Sequence, residues 1–436
     1  MTDQSRLEII RDNPIGKGLD AFRNLFNQIC TDKTISPSPE AFGQLDQEET
    51  RRFVLGFTLC GPLMRVWLFD RLGGIASEKF NINEDGKQFV STVLGFLWMN
   101  ETELGFDPTI KSADGKRYIE IERDGSRERL ILDEVMLRTR CFVGRATTCW
   151  KAYREGDPQK PLVIKDSWQS PERDEEGAML REARSQDVVN VARHYHHETV
   201  QIQDADDDIR NNVRRGLDIT TGTKKRPRRS APPPPWSANT SAASRGGRTS
   251  NSKSASGNKR SSSQIGAPLL SSKRYKTSDS LAKAAGHELS NRVHRRVILE
   301  DYGKPIYEAS SRSALLAALQ GCIEGHESLH KAGILHRDIS INNLMINEDD
   351  NNPSWPSFLI DLDLAIQKQR EGASGAEGKT GTRAFMAIGA LLGEQHSFMH
   401  DLESFFWVLF WICIHYNGPG MGRCQAEKTL CNTISH

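Results

Sequence analysis

The chain has few long apolar runs. Its most apolar stretch, residues 405–414, contains ten residues, half of the roughly 20 that span a bilayer as a helix. The first residues, MTDQSRLEIIRDNP, are polar and lack the apolar core of a secretory signal. We therefore expect an intracellular protein, cytoplasmic or nuclear, that has no membrane partner.

Cysteine is also sparse. The eight cysteines are scattered and include no CxxC pair, the spacing that structural zinc sites commonly use. We expect reduced thiols in a reducing compartment, and neither a zinc site nor a disulfide framework.

Acidic residues are almost missing from residues 222–285. This segment contains fourteen Lys and Arg but only Asp279 as an acid, and it is rich in Ser, Ala, Gly and Pro. Because it has too little apolar surface to offset the entropy lost on ordering, we predict a disordered insert over about residues 207–290. Its basic cluster, Lys224–Arg229, is typical of a nuclear import signal. A solubilising linker is the alternative, and we do not expect direct binding of nucleic acid.

A group of acids and amides downstream has the layout that phosphoryl transfer requires. In ILHRDISINNLMI, Asp338 precedes Asn343 by five positions, and Asp361 follows within the apolar run LIDLDLA. Asp338 is suited to accept the proton of a substrate hydroxyl. Asn343 and Asp361 offer the hard oxygen ligands that Mg²⁺ prefers. The spacing matches the pattern H-R-D-x-x-x-x-N followed by D-F-G, although Asp363 stands in place of the glycine.

A candidate phosphate-binding lysine lies upstream. Lys165 ends the apolar string PLVIK, 21 residues after Gly144, and a lone lysine there would otherwise be a solvated strand end. The following helix offers Glu175, Glu176 and Glu182 as partners. We favour Glu176, because it shares a helix face with an apolar residue four positions later, and we keep Glu182 as the alternative.

Glycine is scarce in the loop expected to cover the phosphates. Gly144, in VGRATTCWKAY, is the single glycine where the usual form, G-x-G-x-x-G, has three. We include Gly144 among the cofactor-binding candidates, although this loop alone would indicate no function.

Several long strings, in this order along the chain, resemble the fungal-type protein kinases, a divergent branch of the eukaryotic protein-kinase superfamily. They are RRFVLGFTLCGPLMRVWLFDR, VGRATTCWKAY, LVIKDSWQSPERDEEGAMLREA, ILHRDISINNLMI, LIDLDLA, GTRAFMAI and HDLESFFWVLFWI. The similarity runs from about residue 50 to residue 416 and is interrupted by the basic insert.

The resemblance implies an α+β, bilobal kinase fold with ATP and Mg²⁺ as cofactors, and phosphorylation of Ser and Thr in protein substrates. It implies that Lys165 contacts phosphate with Glu176 as its partner. It further implies that Asp338 is the catalytic acid/base and that Asn343 and Asp361 bind metal. Ser340 occupies the position where such kinases commonly carry a lysine near the transferred phosphate, and it is our third catalytic candidate.

We expect four segments. They are a polar lead-in over residues 1–45, a β-rich N-terminal module over 46–136, a small lobe over 137–303 that contains the insert, and a large lobe over 304–436. The chain stops twenty residues after Tyr416, so we expect this large lobe to be truncated.

The region after Asp361 suggests further roles. Ser374, Thr380 and Thr382 are possible phosphate acceptors, and Thr382 is alternatively a contact of Asp338. The apolar helix that begins near Asp401 is expected to be buried, with Asp401 as its N-cap and as a brace for the catalytic loop.

Two other functions fit parts of the sequence. A pseudokinase, or a truncated and catalytically weak scaffold that binds partners, fits the glycine-poor loop and Gly389, which stands where a glutamate usually ends this segment. A small-molecule phosphotransferase shares the spacing from Asp338 to Asn343, but GTRAFMAI is typical of enzymes with peptide substrates.

Overall fold

The computed structural model describes residues 51–139, 141, 143–215, 217, 291–367 and 381–422. These residues form the predicted α+β, bilobal fold, with a small lobe built on a curled antiparallel sheet and a mainly helical large lobe. The polar lead-in, most of the basic insert with Lys224–Arg229, and Ser374 and Thr380 lie outside the described residues.

The strands up to the insert have these bounds: β1 Val54–Cys60, β2 Leu63–Asp70, β3 Gly73–Ala76, β4 Phe80–Asn81, β5 Lys111–Ala113, β6 Lys116–Arg123, β7 Ser126–Arg138, β8 Thr148–Arg154, β9 Asp157–Gln169, β10 His194–Thr199, β11 Gln201–Ile202 and β12 Ala205–Asp206. Those after it are β13 Val293–Leu299, β14 Lys304–Pro305, β15 Ile334–Leu335, β16 Leu344–Ile346, β17 Ser357–Leu359, β18 Ile366–Gln367, β19 Tyr416–Gly418 and β20 Met421–Gly422. The α-helices are α1 Gly86–Trp98, α2 Glu176–Ser185, α3 Arg312–Lys331, α4 Ile388–Leu392 and α5 Phe398–His415.

The N-terminal module begins with a small separate sheet. Strand β2 pairs with β1, β3 and β4, all antiparallel, and helix α1 follows, capped by the side chain of Asp85. A hairpin joins β6 and β7 through Asp124 and Gly125, whose φ angles are 52° and 73°. Positive φ at both turn positions suits the twist of a two-residue hairpin and favours Asp-Gly.

The main sheet of the small lobe has seven strands in the order β10-β13-β9-β8-β7-β6-β5. Its core includes Ile119, Leu130, Trp150, Ile164 and Ile298, which are nearly inaccessible to solvent. The boundary that we placed between residues 136 and 137 therefore lies inside strand β7 and inside one continuous sheet. Strands β5 and β6 of the N-terminal module are part of the small lobe.

A buried ionic network fastens residues near the start of the described chain to this sheet. Arg52 donates to Asp207 (Nη2–Oδ1 2.5 Å), and Asp207 also contacts His294 (3.1 Å). Arg296 is bound to Asp166 on the neighbouring strand (Nε–Oδ1 2.9 Å). Because buried charges are stable only when paired, these pairs hold the module in one place.

The same network shows that the first residues that we assigned to the insert are ordered. We placed its start near residue 207, but Asp207 and Asp208 are buried and residues 209–213 form a π-helical turn. Asp208 caps this turn through the backbone of Asn211 (2.6 Å) and binds Asn291, on the other side of the insert. The short polar residues that looked like linker sequence are thus ordered by hydrogen bonds to residues distant in the chain.

The centre of the large lobe is helix α3, which packs against the sheet β14-β16-β17. Two glycines allow a close approach. A Cβ on Gly321 would lie 2.1 Å from the Ser357 hydroxyl, and one on Gly325 would lie 2.3 Å from the Asn190 carbonyl. The loop from α2 therefore rests on α3, and Ala192 N–H donates to the Leu359 carbonyl (2.9 Å) just before Asp361.

Helix α5 differs from its prediction in two ways. Its N-cap is Ser397, which forms a capping box with His400. Because this pair satisfies backbone N–H groups at the start of the helix, Asp401 lies inside the first turn and is not the cap. The helix is also buried on one face only: Phe405 and Val408 are buried, whereas Phe406 is 57% and Phe410 49% exposed. Within the described residues, no helix is both long and apolar enough to span a membrane.

Candidate active site

The catalytic loop lies between strands β15 and β16. The Asp338 carboxylate is buried and accepts hydrogen bonds from both the N–H (2.8 Å) and the hydroxyl (2.9 Å) of Thr382. The Asn343 side-chain N–H₂ donates to the Asp338 carbonyl (2.8 Å). The Asn343 amide oxygen is therefore the atom that can bind a metal.

Gly381 permits the contact between Asp338 and Thr382. Its φ is 119°, and a Cβ there would lie 3.1 Å from the Arg337 carbonyl. A glycine in this conformation brings the end of the activation segment against the catalytic loop without strain. Of the two roles suggested for Thr382, the described geometry contains the contact with Asp338.

Asp361 is held by backbone bonds on the other wall of the site. The Ile360 N–H donates to the Asn343 carbonyl (3.1 Å), and the His336 ring contacts the Ile360 carbonyl (3.2 Å). Asp361 itself has φ 69° and ψ 69°. A left-handed conformation costs a non-glycine residue about 1–3 kcal/mol and is found most often at functional sites.

Lys165 bridges the two lobes. Its Nζ lies 2.6 Å from Glu176 on α2 and 2.7 Å from Asp361. Burial alone would lower the pKa of Lys165, but the two carboxylates raise it above its ordinary value. Burial would likewise raise the pKa of Asp361, yet Lys165 and Arg145 hold it well below its usual range. Lys165 and Asp361 are therefore both charged at neutral pH.

Glu176 is the member of this group whose ionised form is least favourable. Its carboxylate is buried, and burial raises its pKa to about 7 although Lys165 opposes the change. The other two glutamates are engaged elsewhere: Glu175 pairs with Arg295, and Glu182 accepts from Gln186. Of the three candidates proposed from the sequence, Glu176 is thus the one that the structure brings to Lys165.

Asp401 braces the catalytic loop through hydrogen bonds to its backbone. Its carboxylate accepts the N–H groups of His336 (3.2 Å) and Arg337 (3.1 Å), and it contacts the rings of His326 (3.0 Å) and His396 (2.7 Å). Arg337 has φ 66°, and these bonds keep it in that conformation. The brace predicted for Asp401 is present, although the predicted N-cap is not.

The loop between β7 and β8, which we expected to cover the phosphates, has an unpredicted arrangement in its described residues. Its one glycine, Gly144, has φ 125° and donates its N–H to the Arg71 carbonyl (3.0 Å) of the N-terminal module. The next residue, Arg145, binds the carboxylate of Asp363 and lies 4.0 Å from that of Asp361. Asp363 replacing the usual glycine was the signal in the sequence that could have indicated this pair.

Ser340 lies inside the catalytic loop. It is 3% exposed, and its carbonyl accepts the Asn343 N–H (2.9 Å). It thus shapes the turn between Asp338 and Asn343.

The oxygen atoms of the site fit a divalent cation and a polyphosphate. Asp361 and Asn343 supply a carboxylate and an amide oxygen, and Lys165 supplies an ammonium beside them. Within the described residues, Glu176 Oε1 and Asp363 Oδ1 are buried without a hydrogen-bond partner. Such unsatisfied acceptors around a lysine are consistent with a site built to take additional cationic charge.

A second acidic cluster is a poorer metal site. Asp107, Asp166 and His294 lie close enough together to share one ion. Arg296 already binds both of these carboxylates (2.9 Å to Asp166 and 3.5 Å to Asp107). The cluster is therefore neutralised by protein cations.

Comparison with known proteins supplies the family. Residues 40–413 match the family model described as fungal protein kinase. Similar solved structures include the Cydia pomonella granulovirus kinase PK-1, with 8% identity, a TM-score of 0.35, and coverage of 65% of this chain and 70% of that chain. Vaccinia related kinase 3 gives 10% identity, a TM-score of 0.36, and coverage of 71% and 69%. No curated protein matches significantly. The family match includes both lobes and the site.

Proposed function

The chain belongs to the fungal protein kinase family, and from this premise we propose that it transfers the γ-phosphoryl group of ATP, with Mg²⁺, to Ser and Thr hydroxyls of protein substrates. The observation that carries the proposal is a continuous set of contacts that joins Asp338, Asn343, Asp361 and Lys165. Asn343 binds the Asp338 carbonyl, and its own carbonyl accepts from the residue before Asp361. Lys165 binds the Asp361 carboxylate. Mg²⁺ would neutralise phosphate charge between Asn343 and Asp361.

The residues of the chain would mainly position and neutralise. Asp338, oriented by Thr382, accepts the proton of the incoming hydroxyl. Lys165, held by Glu176, provides a fixed positive charge for the phosphates. Because these groups are already buried and hydrogen-bonded, little reorganisation is needed at the moment of transfer.

The test is incubation of the purified chain with radiolabelled ATP, Mg²⁺ and casein as acceptor. We expect label on phosphoserine and phosphothreonine, and a loss of about 10²-fold or more in Asp338→Asn, since general acid–base groups contribute on that order. Asp350→Asn, an exposed acid in the same lobe, is the matched control and should be fully active. Label on phosphotyrosine alone would contradict the Ser/Thr specificity.

A binding function without catalysis is the second candidate. It is favoured by one observation, the contact of Arg145 with Asp363 beside the metal-binding carboxylate. A chain that neither transfers label nor binds nucleotide would support this scaffold function.

We further propose that the basic cluster at Lys224–Arg229 binds a nuclear import receptor. The support is its composition, five Lys and Arg in six residues, in an acid-poor segment. Replacing these residues with alanine in a fluorescent fusion should move the protein from the nucleus to the cytoplasm. An unchanged distribution would contradict the proposal.

A further inference from the structure

In the loop expected to cover the phosphates, the backbone N–H of the glycine is already bound to protein, and a side chain is available in its place. Gly144 donates its N–H to the Arg71 carbonyl, and the Arg145 carbonyl accepts from Trp168 N–H (2.8 Å). In glycine-rich loops, backbone N–H groups contact the phosphates. Here the N–H of the single glycine is bound to protein, so this group cannot fill that role without breaking an existing bond.

Arg145 reaches across the cleft from this loop. Its side chain is 23% exposed, binds the 2%-exposed carboxylate of Asp363, and lies 4.0 Å from the nearest Asp361 oxygen. Ligands of one Mg²⁺ lie about 3–4 Å apart, since each is about 2 Å from the ion. Arg145 lies at the same distance from Asp361 as a second ligand of the same metal would, so the space beside Asp361 that a phosphate oxygen would occupy adjoins the guanidinium.

Charge balance explains why Asp363 holds Arg145. Three carboxylates, those of Glu176, Asp361 and Asp363, surround Lys165 and Arg145. A buried carboxylate without a cation is strongly unfavourable, and Lys165 is already shared between Glu176 and Asp361. Arg145 is therefore the cation that binds the Asp363 carboxylate directly. A glycine at position 363 would leave the arginine without this partner.

We propose that Arg145 is the phosphate-binding cation of this loop and that Asp363 is the residue that positions it. In this pair a guanidinium binds the phosphates, as backbone amides do in a glycine-rich loop. Guanidinium groups have several N–H donors in a planar fork that matches phosphate, so one group can bind Asp363 and a phosphate oxygen together. This inference rests on the proposed function, because it assumes a nucleotide in the cleft.

Binding measurements without turnover test the role of Arg145. Arg145→Met keeps an unbranched apolar stem and removes the guanidinium charge, and Arg154→Met, on the exposed end of β8, is the matched control. By calorimetry with Mg²⁺ present, we expect Arg145→Met to weaken the binding of ATP and ADP about tenfold, which corresponds to the loss of one charged hydrogen bond. The affinity for adenosine should be unchanged. Equal or tighter binding of ATP would overturn the proposal and identify Arg145 as a latch on the metal site.

A double-mutant comparison tests the positioning role of Asp363. Asp363→Asn should weaken ATP binding to a similar extent. The double variant, Arg145→Met with Asp363→Asn, should bind ATP no more weakly than Arg145→Met alone, because both changes remove the same interaction. Asp363→Glu, which keeps the charge, should restore part of the affinity. Additive losses would show that Asp363 acts independently of Arg145 and would overturn the positioning role.

The wild-type protein separates this inference from the proposed function. If the wild type binds ATP but transfers no phosphate, the kinase activity fails while the roles of Arg145 and Asp363 are still decided by affinity. If the wild type binds and Arg145→Met binds equally well, only the inference fails. A wild type that binds neither ATP nor ADP overturns both.

Discussion

At the scale of single residues, the site depends on how one lysine is shared. Lys165 contacts Glu176 and Asp361 at nearly equal distances, 2.6 and 2.7 Å. Glu176 comes from helix α2 and Asp361 from the loop after β17, so the position of the ammonium reports whether the two lobes are correctly aligned. We therefore expect Glu176 to affect the reaction although its carboxylate touches no substrate.

Glu176→Gln should therefore reduce kcat/KM for ATP by roughly 10²-fold, since small displacements of positioning groups have effects of that size. Glu182→Gln, on the same helix and the alternative candidate from the sequence, should have no effect. Steady-state kinetics of both variants checks this. Equal losses in the two, or a loss in Glu182→Gln alone, would contradict the assignment.

Most of the site could be predicted because its residues fall into short strings with recognisable spacing. The spacing of Asp338 and Asn343 follows from one loop, and Lys165 and Glu176 are eleven residues apart. The Arg145–Asp363 pair could not be predicted, because its members are separated by 218 residues and each alone looks like a departure from the usual pattern. The same holds for Asp207, whose partner Arg52 is 155 residues away.

At the scale of elements, strand β13 carries the charge that joins the N-terminal module to the small lobe. His294 is buried between Asp166 of β9 and Asp207, and these carboxylates also bind Arg296 and Arg52 respectively. Burial alone would lower the pKa of His294, but the two carboxylates raise it from 6.5 to about 9. The imidazolium is therefore part of the folded structure at neutral pH.

This shift makes stability depend on pH. A group whose pKa is higher in the folded state stabilises it fully below the unfolded pKa and loses that effect as pH rises through the folded pKa. The free energy of unfolding should thus fall between pH 6.5 and about 9, with His294 contributing up to about 1.4 kcal/mol per pH unit. Urea denaturation at several pH values should give a shallower slope for His294→Gln than for the wild type. Parallel slopes would show that His294 does not contribute.

The boundaries of elements were harder to predict than their existence. The boundary that we placed after residue 136 falls inside β7, which continues to Arg138 because β8 pairs with it along that length. The N-cap of helix α5 is Ser397 and not the predicted Asp401, because Ser397 and His400 form a capping box. Apolar periodicity alone gave no information on which face of α5 would be covered.

At the scale of the whole molecule, the N-terminal module is part of the kinase fold. Strands β5 to β7 extend the sheet that carries Lys165. The carbonyl of Arg71, in the module, accepts a hydrogen bond from the Gly144 N–H in the loop beside the site. The extension thus contributes to the core and fixes the loop between β7 and β8.

A chain that begins at residue 137 should consequently fail to fold, because it lacks nearly all of β7 and exposes the edge of β8. A chain that begins at residue 46 should fold. Circular dichroism and thermal denaturation of the two proteins check this difference. A cooperative transition in the shorter chain would show that the module is dispensable.

The central claim is that Asp338 and Asp361 have different roles in one phosphoryl transfer. The most direct test measures, in the same preparations, the affinity for Mg²⁺-ATP and the single-turnover transfer of phosphate to casein by the wild type, Asp338→Asn and Asp361→Asn. We predict that both variants lose transfer, that Asp338→Asn still binds Mg²⁺-ATP like the wild type, and that Asp361→Asn binds it more weakly. Undiminished transfer by either variant, or no transfer by the wild type, would contradict the account.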